Sequence, residues 1–416
     1  MEPKSRAARG LRVAQLIASD GPGGAERVLA QLARGLQAGG GSSVVFLPEN
    51  GEGWLAGELR GSGVDVDHFR LTRPFSPAAA RSLAAAFVRH GVTIAHSHEF
   101  SMAVYGAWAS QLVRIPHVIT MHGGRYYAGH LRRRLALRAA IAFSTRTVAV
   151  SERLARDLSR DLLVSPARII TIPTGVPFAP AERAAFRQEL RITPEDRLLV
   201  SVGNLYPVKG HQHLIDAAAL LIGRHPTLHV AISGRGQLTE ALAARARGLG
   251  LAERLHLLGL RSDVPSILAA ADLFVMPSLS EGLPLALLEA MFARCPIVAS
   301  DVGEIGTALA GGDAGVLVPP GDPAALAAAL DRLLTNRQRA QALGERAAAR
   351  AATEYSDSRM IGRYGCLYHE VLGRSSQIPR RDRAAGAGDR SVAVTAGFKG
   401  REQTSGGRLD QESLKT

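Results

Sequence analysis

Short apolar runs alternate with Ala/Leu/Arg segments of helical period along most of this chain, and they do so in two successive series. The first series has runs at 12–19, 43–47, 64–69, 93–96, 117–120, 147–150 and 168–172. Helical segments at 25–38, 77–90, 101–112, 131–143 and 151–160 lie between them. The second has runs near 198–202, 228–233, 254–258, 272–276, 296–299 and 315–318, with helical segments near 210–223, 236–248, 284–293 and 323–335. Strands separated by helices imply parallel βαβ units, because a parallel neighbour needs a crossover long enough to hold a helix. The expected fold is α/β, with two Rossmann-like doubly wound domains at 11–176 and 196–353. Between them Ile172-Pro173-Thr174-Gly175-Val176-Pro177 continues neither element, so 177–195 reads as hinge and linker. Helical pattern resumes at 337–352 and again, after Tyr355-Ser356-Asp357, to about 373. The polar, aperiodic 374–416 reads as a disordered tail.

Composition narrows the function classes. With 416 residues, 46% of them hydrophobic, the chain can bury two cores, which excludes a mostly disordered protein. Cys295 and Cys366 alone cannot make a disulfide framework, so a reducing, cytoplasmic setting is expected. The apolar stretch at 11–18 is short and carries Arg12 and Gln15, unlike a signal peptide. No uninterrupted stretch is long enough to span a membrane. A formal charge of +13 suits acidic partners such as nucleotide phosphates or anionic lipid. Nucleic acid is the weaker candidate, since aromatics make up 5% and no RNP, zinc-finger or helix-turn-helix signature is present.

Three segments could carry chemistry. Gly21-Pro22-Gly23-Gly24-Ala25-Glu26 follows the first strand and opens a helix, where backbone N–H groups and the helix dipole favour an anion. The same glycines would also serve a plain strand-to-helix turn. Lys209, in Val202-Gly203-Asn204-Leu205-Tyr206-Pro207-Val208-Lys209-Gly210, follows the first strand of the second half, at the edge where open α/β sheets bind ligands. Its ammonium suits a diphosphate, although a loop lysine alone is often solvated. Glu281-Gly282-Leu283-Pro284-Leu285-Ala286-Leu287-Leu288-Glu289 pairs two carboxylates, the second on an apolar helix where it is either a ligand for paired hydroxyls or half of a buried ion pair.

Other constellations read differently. His96-Ser97-His98-Glu99 has a metal-ligand spacing, but no further ligand set follows it, so a metal site is not expected there. Asp65-Val66-Asp67 lies in an alternating strand and is read as an exposed face, so no metal site is expected. The basic, aromatic and leucine-rich 125–138 reads either as a solvated helix or as a surface for anionic membrane near a lipid-linked acceptor.

Taken together the motifs resemble the family 4 (group 1) retaining glycosyltransferases of GT-B fold. The resemblance rests on Gly-Gly-Ala-Glu at 23–26, Thr120-Met121-His122-Gly123, Val150-Ser151-Glu152, Ile172-Pro173-Thr174-Gly175-Val176, Gly259 with Asp263-Val264, and Glu281 to Glu289 followed by Pro296-Ile297-Val298-Ala299-Ser300. It runs from about 12 to 372. It implies a cleft between the two domains, an acceptor side in the first, and a helix at 354–373 that returns to the first domain. It implies catalytic roles for His122, Lys209 and Glu281: His122 hydrogen-bonding the transferred sugar or its leaving group, Lys209 meeting the developing diphosphate, Glu281 holding hexose hydroxyls. Gly23, Gly24, Asn204, Arg235, Gly282, Leu283 and Glu289 would bind the donor, with Glu289 on the ribose diol. The implied partners are a UDP- or GDP-sugar and a glycan or lipid-linked acceptor, with no cofactor and no nucleic acid. Asn204 departs from the family, where Arg is usual, and an amide compensates phosphate charge less than a guanidinium fork does. The rival classes are a nucleotide-sugar epimerase or hydrolase, and a non-catalytic nucleotide-binding protein on the same fold.

Overall fold

The computed structural model describes residues 10–51, 53–70, 76–123, 127–177 and 182–376. The first series builds strands β1 (Arg12–Leu16), β2 (Ser42–Pro48), β3 (Asp65–Phe69), β4 (Ile94–His98), β5 (His117–Met121), β6 (Arg146–Ala149) and β7 (Ile169–Thr171). They alternate with helices α1 (Gly24–Ala38), α2 (Trp54–Leu59), α3 (Pro77–Arg89), α4 (Glu99–Val113), α5 (Leu131–Phe143) and α6 (Glu152–Leu162). The second series builds β8 (Arg197–Val202), β9 (Leu228–Ser233), β10 (Leu255–Gly259), β11 (Leu273–Met276), β12 (Ile297–Ser300) and β13 (Val316–Val318). Its helices are α7 (Arg183–Glu189), α8 (His211–Leu221), α9 (Thr239–Gly248), α10 (Val264–Ala270), α11 (Leu285–Phe292), α12 (Ile305–Ala308), α13 (Pro323–Thr335) and α14 (Arg337–Glu354), followed by α15 (Asp357–Ser376).

Both sheets are parallel and doubly wound, in the orders β3-β2-β1-β4-β5-β6-β7 and β10-β9-β8-β11-β12-β13. Central β4, β5, β11 and β12 are buried along their whole length, which is why β11 and β12 read as near-continuous apolar runs, whereas β4 also buries His96, Ser97 and His98. Helix starts follow local chemistry. Ser76 accepts from the Ala79 N–H with Pro77 at the first position, and Asp322 accepts from the Ala325 N–H ahead of Pro323.

Four short helices, α2, α7, α10 and α12, lie outside the expected helical segments. The stretch 177–195, read as hinge and linker, contains α7, held to the second lobe by buried Arg187, which donates to Asp272 Oδ2 at 3.3 Å and to the Ala270 carbonyl at 3.0 Å. Helix α2 begins where the Asp20 carboxylate, past the end of β1, accepts from the Gly53 and Leu55 N–H groups. Helices this short are marginal on their own sequence, so tertiary partners decide them. The third, α10, packs Ile267 and Leu268 into the core of the second lobe.

Past α14 the chain meets the Thr174–Val176 segment again, with the Val176 N–H donating to the Tyr355 carbonyl at 2.9 Å, and α15 then lies on the first sheet. Met360, Tyr364, Leu367, Tyr368 and Val371 pack with Val13, Val28, Val118 and Val148. Each fully buried side chain of this size is worth roughly 1.5–3 kcal/mol. Gly35 lets α1 approach, since a side chain there would strike Ile361. The stretch 377–416, most of the expected tail, lies outside the described residues.

Candidate active site

In open α/β sheets the ligand crevice lies beyond the strand C-termini at the switch in strand order. Here those switches are β1/β4 and β8/β11. The loop after β1 carries Gly23 and Gly24, the end of β4 carries His98 and Glu99, and the end of β5 carries His122. Across from them, the loop after β8 carries Asn204 and Lys209, and that after β11 carries Ser278, Glu281, Gly282 and Leu283.

The two lobes meet at these loops. A Cβ on Gly282 would lie 3.5 Å from the His122 carbonyl oxygen, and one on Gly24 would lie 3.8 Å from Leu285. Arg153 Nη1 donates to the Gly303 carbonyl at 3.3 Å, and Arg27 Nη1 lies 3.8 Å from Glu289 Oε1.

Lys209 Nζ donates to Glu281 Oε1 at 2.7 Å and to Oε2 at 2.9 Å, and Ser278 Oγ donates to Oε1 at 2.7 Å. The lysine ends a 3₁₀ turn, Pro207–Lys209, which Gly210 closes at φ +64; a side chain there would collide with the Pro277 carbonyl. Gly303, at φ +58, similarly lets its loop pass under the Glu281 carbonyl. The resemblance implies separate ligands for Lys209 and Glu281, whereas the fold makes them first an ion pair. The carboxylate therefore orients the ammonium and offsets part of its charge.

Asn204 is exposed at the rim. Arg235 is brought beside it: its backbone carbonyl accepts from the Leu205 N–H at 2.9 Å, and Gly234 packs on the Gly203 carbonyl. Glu289 on α11, its side chain 21% exposed, faces Arg27 of the opposite lobe, so the ion-pair alternative is realised in this structure. Burial raises its pKa, and Arg27 works against the rise. Gly23 caps α1 with extended backbone, and the carboxylate of Glu26 folds back against it. A ligand phosphate at that helix end would meet this buried acid.

The His-x-His pair is buried and bonded to protein groups. His96 Nδ1 meets Tyr368 Oη at 2.8 Å, and its Nε2 meets Thr120 Oγ1 at 2.7 Å. His98 Nε2 meets Gln15 Oε1 at 2.9 Å, and its Nδ1 meets His122 Nε2 at 2.8 Å. Burial pushes the His122 pKa down to about 4, and those of His96 and His98 well below the ordinary value. The first residue of α4, Glu99, has φ +66 and accepts from the His122 N–H at 2.9 Å through Oε1, while its buried Oε2 has no hydrogen-bond partner among the described residues. Burial raises this carboxyl to about 7 despite the His122 N–H. Gln15, Tyr364 and Tyr368 were not singled out in the sequence, because their spacing carries no signal.

Asp65 pairs with Arg12 and Asp67 with Arg89 and His90, as an exposed strand face would. No helix among the described residues is long and apolar enough to cross a membrane.

Residues 22–179 match the family Glycosyltransferase Family 4, and residues 182–350 match Glycosyl transferases group 1. The chain belongs to the group 1 glycosyltransferases. Over 281 residues this group 1 chain is 33% identical to a D-inositol 3-phosphate glycosyltransferase of Nocardia farcinica, covering 62% of each protein. Over 226 residues it is 32% identical to the UDP-Gal:alpha-D-GlcNAc-diphosphoundecaprenol alpha-1,3-galactosyltransferase of Escherichia coli, covering 50% of this chain and 58% of that protein. It thus spans less than two thirds of the length of these two relatives. The two-lobed arrangement is the GT-B fold. It superposes on Anabaena HepE, solved in complex with UDP-glucose, with a TM-score of 0.74 at 22% identity, covering 88% of this chain and 100% of that one.

Proposed function

We propose that this protein transfers a hexosyl-type sugar from a UDP- or GDP-sugar to a glycan or lipid-linked acceptor, with retention of anomeric configuration. The observation that carries the reading is the Lys209–Glu281 pair of the second lobe, next to a glycine loop that meets His122 of the first. In this reading the donor diphosphate draws the ammonium from Glu281, which then takes hexose hydroxyls. Glu289 exchanges Arg27 for the ribose diol, and Gly282 with Leu283 supplies backbone contacts. The leaving diphosphate gains negative charge as the glycosidic bond breaks, and a positioned ammonium meets that charge where it develops. The acceptor hydroxyl attacks from the face the diphosphate leaves, without a carboxylate nucleophile and without a cofactor. The relatives' printed activities support the substrate class: one acts on inositol phosphate, one uses UDP-Gal and a lipid diphosphate.

The same reading places peripheral contact with anionic membrane at α5. Leu131 and Leu135 are 68% and 56% exposed there, beside exposed Arg132, Arg133 and Arg138.

The test is a thermal-shift panel of nucleoside diphosphates and nucleotide sugars, since a bound ligand stabilises only the folded form. The anomeric configuration of the product made from the best donor is then read by NMR. Stabilisation by UDP or GDP and a retained anomer are expected. No stabilisation by any nucleotide, or an inverted product, refutes the reading.

A further inference from the structure

Behind His122 runs a buried line of hydrogen bonds that the transfer reading does not use. From the C-terminal helix inward it joins Tyr364 Oη, Thr120 Oγ1, His96, Tyr368 Oη, Gln15, His98 and His122, with links of 2.9, 2.7, 2.8, 3.2, 2.9 and 2.8 Å. Each neutral imidazole has one N–H and one lone pair, and an amide has a donor end and an acceptor end. All three imidazoles are neutral at pH 7, since burial depresses each. The direction of one bond therefore fixes that of the next from Gln15 through His98 to His122.

Gln15 sets the polarity. Its Nε2 donates to Tyr368 Oη, so its Oε1 must accept from His98 Nε2–H. With that proton on Nε2, His98 Nδ1 is a lone pair and must accept from His122 Nε2–H. His122 then carries its proton on the inner nitrogen and keeps a lone pair on Nδ1. On the other side the Tyr368 hydroxyl meets His96 Nδ1 and His96 Nε2 meets Thr120 Oγ1; a hydroxyl that accepts from Gln15 can either donate to the imidazole or accept from it.

We propose that α15, acting through Tyr368, Gln15 and His98, sets the tautomer of His122 so that Nδ1 meets the ligand as a neutral hydrogen-bond acceptor. The chemistry selected is then a substrate hydroxyl, which can donate, and not an ionised phosphate oxygen, which cannot. Tyr368, Gln15 and His98 are positioning residues in this scheme, lying 353 residues apart at the Gln15–Tyr368 link. The assignment rests on the transfer reading only for the identity of the hydroxyl as one of a bound sugar.

The experiment is ¹⁵N NMR of histidine-labelled full-length protein without substrate, the His122 resonances being assigned by their loss in His122→Ala. The expected spectrum shows a neutral Nε2–H imidazole from pH 5.5 to 8. An Nδ1–H tautomer, which the reversed amide orientation would give, or an imidazolium at pH 7, overturns the proposal. In Tyr368→Phe the Gln15 amide loses its anchor, so both tautomers should appear, and turnover should fall about fivefold, the worth of one neutral hydrogen bond. Gln15→Glu, which still accepts from His98, should keep the single tautomer, whereas Gln15→Leu should not. If Tyr368→Phe leaves the tautomer unmixed in a folded protein, α15 does not set it. Because the spectrum needs no substrate, a protein that shows the expected tautomer yet binds no nucleotide would refute the transfer reading alone.

Discussion

Lys209 and Glu281 hold each other across 72 residues of sequence, the ammonium within 2.9 Å of both carboxylate oxygens. The pair has one cation and one anion where a diphosphate and a sugar would each need one, so binding must part them. Lys209→Ala should lower kcat about 10²–10³-fold, as loss of one oxyanion donor does. It also leaves Glu281 buried without its counter-ion, so Lys209→Ala/Glu281→Ala should lose less than the sum of the single losses. Steady-state kinetics of the three variants check this, and additive losses would show that the pair does not act as a unit. Asn204→Arg, placing a second cation at the rim, should leave kcat unchanged or raise it.

Glu289 faces Arg27 across the lobes at 3.8 Å. A ribose contact changes little as the glycosidic bond breaks, so Glu289→Ala should raise the donor KM by about tenfold with kcat nearly unchanged. Arg27→Ala should act in the opposite sense, lowering the donor KM, because it removes the competitor for that carboxylate. A KM that rises in both variants would mean that Arg27 itself touches the donor.

Stability should respond to pH through Glu99. Its folded pKa of about 7 lies above the ordinary 4.5, so the folded state holds an extra proton between those values. The stability this neutral carboxyl contributes is full at low pH and is lost as pH rises through 7, roughly 3 kcal/mol in all. Glu99→Gln should therefore stabilise the protein at pH 8.5 and change little at pH 5. Thermal melts at the two pH values measure this, and an equal shift at both would contradict it.

The buried imidazoles act in the other direction. His117 is depressed to about 3 and His122 to about 4, with His96 and His98 also well below 6.5. A depressed base contributes stability that is present above 6.5 and is lost as pH falls toward its folded value. These four outnumber Glu99, so the melting temperature should drop steeply between pH 6.5 and 4. A flat profile there would show that the imidazoles are not held neutral.

Transfer should survive EDTA. Asp65 and Asp67 are engaged by Arg12, Arg89 and His90 on the edge strand, and Lys209 is the group proposed to meet the leaving charge. Loss of activity on chelation, restored by Mn²⁺, would refute the proposed mechanism.

Much of this was legible in the sequence because it is local. The inner strands of both sheets are buried, with edge strands β3 and β10 left partly open, and the period of the segments between them names those segments as helices. Those two alternations, with right-handed crossovers, leave little choice but two parallel doubly wound sheets. Gly210 was legible beside Lys209, but what its φ of +64 makes room for, the Pro277 carbonyl, was not, and neither was Gly303, at φ +58 under the Glu281 carbonyl. Short α2 and α7 were not legible, since each exists by bonds to Asp20 or Asp272 far away in sequence. What only the tertiary structure decided is who faces whom. Lys209 with Glu281, Arg27 with Glu289, and Gln15 with Tyr368 are joined across 72 residues or more, by sheet order and by the return of α15. A side chain's type states which bonds it can make; its partner, its burial and hence its protonation follow from the packing around it.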